Sequence, residues 1–191
     1  MRLIQFLKTL TISSLLAFPG HAFAQTTGSI NVGKYSNLPL PRFVSLKAER
    51  VNMRVGPGKA YAVVWRFEKA GLPLEVIQEF DNWRRVRDVT GDTGWIHKSL
   101  LTGRRAGIAT PWRAMANNNG SNASQGSVGL YDKPAREATR IALLKPGVIG
   151  RLPSCDGIWC EMEVEAPNGR TIKGYVSQTD LWGAYPDEEF D

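Results

Sequence analysis

The chain is poor in the residues that carry out covalent chemistry. It has two histidines and two cysteines among 191 residues. His21 lies in a leader-like start, so His97 is the one histidine of the remainder. No serine sits in a Gly-x-Ser-x-Gly elbow, and no His-Glu-x-x-His occurs. Nucleophilic catalysis needs a Ser or Cys beside a base, and these shortages argue against an enzyme. Asp88 and Asp92 are close enough in sequence to suggest paired carboxylates, but Asp in so turn-rich a stretch is read as a turn residue making local hydrogen bonds. No cofactor is expected.

Long apolar runs are also missing. The run Leu10 to Phe18 falls well short of the roughly 20 residues that span a bilayer. Arg2 and Lys8 precede it, Pro19-Gly20 ends it, and Ala22-Phe23-Ala24 offers small residues where a signal peptidase reads. This is the layout of a cleaved secretory signal over residues 1–24. The expected location is therefore periplasmic or secreted, with no transmembrane segment after cleavage. Export argues against nucleic acid as a partner.

Charge is only mildly unbalanced, with 24 Lys and Arg against 18 Asp and Glu, and the leader takes two of the bases with it. The basic residues gather at Arg84, Arg85, Arg87, Lys98, Arg104 and Arg105. Such a patch can attract anionic partners, or simply keep the surface solvated. Cys155 and Cys160 flank an Asp156-Gly157 turn signal. In an oxidising compartment such a pair reads as a disulfide. A metal site would need further ligands, and His97 is far away in sequence.

What is present is strand-like. Short apolar stretches recur about every ten residues, separated by Gly, Pro, Asn and Asp, and no long helical stripe appears. The stretches also repeat. Trp83-Arg84-Arg85-Val86 is answered by Trp159-Cys160-Glu161-Met162, and Gly94-Trp95-Ile96 by Gly174-Tyr175-Val176. Leu100-Leu101 is answered by Leu181-Trp182, and Met53 to Pro57 by Leu130 to Pro134. Leu72-Pro73-Leu74 is matched with Lys145-Pro146-Gly147. Landmarks recurring in one order indicate two copies of a module.

The first copy, with Asn52-Met53-Arg54-Val55-Gly56-Pro57-Gly58, then Trp83 and Gly94-Trp95-Ile96, resembles a bacterial SH3 domain. The second resembles a divergent variant with a paired-Cys hairpin; Asp132-Lys133-Pro134 replaces the Arg-x-Gly-Pro signature. The resemblance implies an all-β chain of two small SH3-like β-barrels in tandem, joined by a flexible linker. The expected boundaries are a flexible segment 25–43, a first domain 44–103, a linker 104–126, a second domain 127–185 and an acidic tail 186–191. It also implies a non-catalytic binding role, with peptidoglycan or an envelope protein as partner, or else a scaffolding role in a periplasmic complex. Val86 and Ile96 are expected inside. Arg54, Tyr61, Trp65, Trp83, Trp95 and His97 are the candidate ligand-binding residues. Two readings of the aromatics stand side by side: a surface groove for peptide or sugar rings, or caps over a core too small to spare any large side chain. His97 stands where related domains carry a groove proline, which argues against Pro-rich peptides.

Overall fold

The computed structural model describes residues 31–110 and 126–191. The expected signal 1–24 and most of the low-complexity stretch 117–126 lie outside them. The first module consists of β1 (Arg42–Leu46), β2 (Val51–Arg54), β3 (Val63–Phe67), β4 (Pro73–Phe80), β5 (Trp83–Arg87), β6 (Thr93–His97) and β7 (Leu101–Thr102). A 3-10 turn, Lys98–Leu100, precedes β7. The second consists of β8 (Ala106–Ala109), β9 (Val128–Tyr131), β10 (Arg140–Leu144), β11 (Ile149–Arg151), β12 (Cys155–Asp156), β13 (Trp159–Glu165), β14 (Thr171–Ser177) and β15 (Leu181–Trp182), with β16 (Glu189–Phe190) after it.

The two sheets have one topology. The first runs β3-β2-β6-β5-β4-β1-β7 and the second β10-β9-β14-β13-β11-β8-β15, with every neighbouring pair antiparallel. Alternation places one side of each strand in a core. Val44, Leu46, Val51, Met53, Leu74, Val76, Val86 and Ile96 fill the first. Leu130, Leu144, Leu152, Met162, Val164, Val176 and Leu181 fill much of the second. Gly94 and Gly174 are explained by this geometry. A Cβ at Gly94 would lie 2.9 Å from the Arg54 carbonyl oxygen, and one at Gly174 2.6 Å from that of Tyr131. Only glycine lets the neighbouring strand approach so closely.

Pairing moves the module boundary. Ala106–Ala109, expected in the linker, forms β8 and pairs with β11 and β15 of the second sheet. Ala-Gly-Ile-Ala carries little strand signal of its own, and its partners supply the ladder. The low-complexity stretch therefore falls between the first and second strands of module two, and the modules are joined through residues 103–105. The segments outside the expected barrels also take part. Val32 bridges Pro39, and β16 in the acidic tail pairs with β12. Backbone bonds correct one landmark as well. Leu46 N–H donates to Leu72 and Ala109 N–H to Val148, so Pro73 corresponds to Ile149, three residues beyond the matched Pro146.

The equivalent hairpins are closed by different chemistry. Glu79 faces Arg84 across β4 and β5, and Cys155 faces Cys160 across β12 and β13. The first pair is an ion pair at 3.2 Å, whose side chains are nearly buried; the second is a disulfide. Because the bridge closes a very short loop, reduction should destabilise module two by about 2 kcal/mol in the chain-entropy model. Urea titrations with and without dithiothreitol test this, and an unchanged midpoint would refute it.

The modules share an apolar seam. On β1, Val44 and Leu46 belong to the first core while Phe43, also buried, clusters with Ile108 and Trp182. The Phe43 ring meets Trp182 edge-on at 5.0 Å and lies 4.7 Å from Tyr185. Beside them the Tyr185 hydroxyl donates to Glu75 at 2.8 Å, and Arg87 Nε donates to the other oxygen of that buried carboxylate at 2.7 Å. Burial and the Glu75 carboxylate hold the Tyr185 phenol well above its ordinary range.

Candidate ligand-binding face

The hairpins place the outward side chains of β2, β6 and β5 in rows. Arg54 pairs with Trp95, and Trp95 with Arg85. In the next row Trp83 pairs with His97, and their rings meet edge-on at 5.4 Å. Trp95, Trp83, Arg54 and His97 are all half-buried, whereas Val86 and Ile96 are fully buried. The aromatics thus lie over the sheet with one side open.

Tyr61 joins this face through its loop. Arg54 Nη1 donates to the Tyr61 carbonyl at 2.6 Å. The Tyr61 ring lies directly on Gly56, where a Cβ would collide with it. The Gly-Pro-Gly loop is therefore glycine-rich in part to seat an aromatic ring. Trp65 stands apart. It pairs with Met53, not Arg54, on the edge strand β3, and is 57% exposed. Four of the six candidate residues lie in these rows, Tyr61 joins them through its loop, and Trp65 belongs to neither row.

His97 also caps the 3-10 turn. Its Nδ1 lies 2.8 Å from Ser99 Oγ and accepts from the Ser99 N–H. Asp88 is a turn residue: one of its oxygens accepts from Thr90 N–H, Thr90 Oγ1 and Asp92 N–H. The expected basic patch is thinned by pairing. Arg84 is buried against Glu79, Arg87 serves Glu75, and Arg105 makes two 2.8 Å bonds to Glu188. Among the described residues, no group of His, Cys, Asp and Glu is arranged to hold a metal.

The second module carries a counterpart that the sequence reading did not single out. Tyr131 pairs with Tyr175, Tyr175 with Glu161, and Trp159 meets Tyr131 edge-on at 5.7 Å. Tyr131 replaces Arg54 and Glu161 replaces Arg85, so a cationic row becomes an acidic one. The signal is present in the repeat, where Gly174-Tyr175 answers Gly94-Trp95.

A family model described as bacterial SH3 domain matches residues 47–103 and 124–183. The chain belongs to the bacterial SH3 domain family, in two tandem copies. Among solved structures it is similar to NlpC2 from Trichomonas vaginalis, at 14% identity over 74% of this chain and 48% of that one, with a TM-score of 0.30. It is similar also to NlpC1 from Trichomonas vaginalis, at 14% identity over 78% of this chain and 48% of that one, with a TM-score of 0.31. The chain spans about half the length of each. No curated protein matches it. Among the described residues no helix is long and apolar enough to cross a membrane.

Proposed function

We propose that this is an exported, non-catalytic binding protein of the bacterial envelope, periplasmic or secreted, and that its first module holds peptidoglycan or an envelope protein partner on the Trp95 face. The observation that carries the reading is the row Arg54, Trp95, Arg85 beside the Trp83–His97 stack. Half-open aromatic rings between guanidinium groups offer flat apolar contact with polar edges, which suits sugar rings and peptides. Bacterial SH3 domains commonly bind peptidoglycan. The non-catalytic reading rests on His97, whose Nδ1 is engaged as a cap, and on cysteines joined in a disulfide.

The protein is expected to sediment with purified peptidoglycan and to stay bound at ~0.5 M salt, where weak charge attraction is screened. Trp95→Ala should weaken binding by about tenfold or more, as loss of a central aromatic contact does, with an unchanged melting temperature. Loss of folding in that variant would mean the ring is a core cap. Absence of retention would favour the scaffolding reading, for which the observation is the Phe43–Trp182–Tyr185 seam that joins the modules into one unit.

A further inference from the structure

Away from the Trp95 face, an open cleft of about 1040 Å³ runs between the modules. Ser45 and Lys47 at the end of β1, Lys69 before β4, and Arg104 at the joint line one side. Arg151, Glu163 and Glu165 line the other. Several of these charges are already committed. Glu163 takes both Arg151 at 2.8 Å and Lys173 at 2.6 Å, and those cations hold its carboxyl down at about 2. Lys47, Lys69 and Arg104 are exposed and make none of the ion pairs found among the described residues. Glu165 is the one carboxylate of the lining outside those pairs. The cleft therefore has an excess of unneutralised positive charge.

Its wall also holds hydrogen-bonding capacity without partners. The Ser45 hydroxyl is buried and makes no hydrogen bond among the described residues, and the same holds for Nε of the neighbouring Arg105. Leaving such buried groups unsatisfied carries a desolvation penalty that a ligand acceptor would relieve. Ser45 lines the cleft, so its unpartnered hydroxyl stands beside whatever occupies it. Cations and free donors together call for acceptor oxygens carrying negative charge.

We propose that this inter-module cleft binds an extended acidic peptide through its carboxylates. The cleft is at the upper end of ligand pockets in size, far more than a lone anion fills. The uncommitted cations come from three separate stretches of chain and two of them are lysines. They suit single charges spaced along a strand, whereas a phosphate group is best held by donors converging on one centre. This site is separate from the Trp95 face and does not depend on it.

The test uses the whole protein and a fluorescein-labelled Ala-Glu-Ala-Glu-Ala-Glu peptide, read by anisotropy. Saturable binding is expected. The double variant Lys47→Glu/Lys69→Glu should weaken it at least tenfold. An equal charge change on the exposed loop of module two, Lys133→Glu/Arg136→Glu, should leave it unaltered. Ser45→Ala should lower affinity about threefold at an unchanged melting temperature. Absence of saturable binding overturns the proposal, as does equal loss in the two double variants, which would reduce the effect to bulk charge. Tighter competition by inorganic tripolyphosphate than by unlabelled peptide would reassign the cleft to phosphate.

Discussion

Acidification from pH 5 to pH 2 is expected to remove about 3 kcal/mol of stability from the first module through one carboxylate, Glu79. Burial alone would raise its pKa. That effect is outweighed by the Ser36 hydroxyl at 2.6 Å, Arg42 at 2.8 Å, the Tyr35 N–H at 3.0 Å and the Arg84 charge, so the value falls from 4.5 to about 2. Because the folded pKa lies below the unfolded one, the stabilisation is complete above about 4.5 and is lost as the pH falls through 2. The same oxygens hold the N-terminal segment. Tyr35 and Ser36 both donate backbone N–H groups to Glu79, and Gly33 packs against its carboxylate. Protonation should therefore loosen residues 31–40 before the barrel itself. Glu79→Gln at neutral pH leaves Arg84 buried without its counter-charge, a change that typically costs about 3–5 kcal/mol. Urea titrations across the pH range would show a flattened acid limb in the variant. A slope identical to that of the parent would refute the assignment.

Glu79 also shows which parts of the fold were legible in the sequence. The repeats Trp83 and Trp159, and Gly94 and Gly174, were readable because their roles are steric and the same residue type meets them in both copies. Glu79–Arg84 and Cys155–Cys160 occupy one position in the hairpin, yet no sequence pattern equates an ion pair with a disulfide. A second charged pair of the same two strands is masked in another way. Glu75 faces Arg87 in module one and Arg151 faces Glu163 in module two, so the charges are exchanged between strands. Register, which cross-strand pairing keeps fixed, reveals both equivalences. The strand β8 was hidden for a third reason: the low-complexity stretch drew the boundary to itself, although it lies inside the second module. Of the candidate residues, Trp95 and His97 flank the core residue Ile96, Arg54 follows Met53, and Trp83 stands three residues from Val86, so period two turns these four outward. Trp65 was grouped with them because the bulge at Val64, which shifts the register between Met53 and Arg54, leaves no mark in the sequence.

The seam between the modules should prove more costly to break than any surface contact. Phe43 and Trp182 are 4% and 3% exposed, and each closes the other against solvent. Truncation of a buried aromatic ring costs about 3–5 kcal/mol, and Trp182→Ala is expected to fall in that range. Its consequence extends beyond its own sheet. β1 and β8 are buried on both faces, one face in each core and the other against the opposite module. Opening the seam exposes the outer faces of both strands, so the parent should unfold in one transition and Trp182→Ala or Phe43→Ala in two. A double-mutant cycle between them should return a coupling of about 1 kcal/mol, the scale of an edge-to-face aromatic pair. Tyr185→Phe removes the hydroxyl from the Glu75 carboxylate while keeping the ring, and should cost about 1.5–3 kcal/mol. Calorimetry of the parent, the two seam variants, their double and Tyr185→Phe separates these terms. Additive losses with a single transition throughout would mean that each barrel is stabilised alone and that the seam fixes neither their orientation nor the cleft between them.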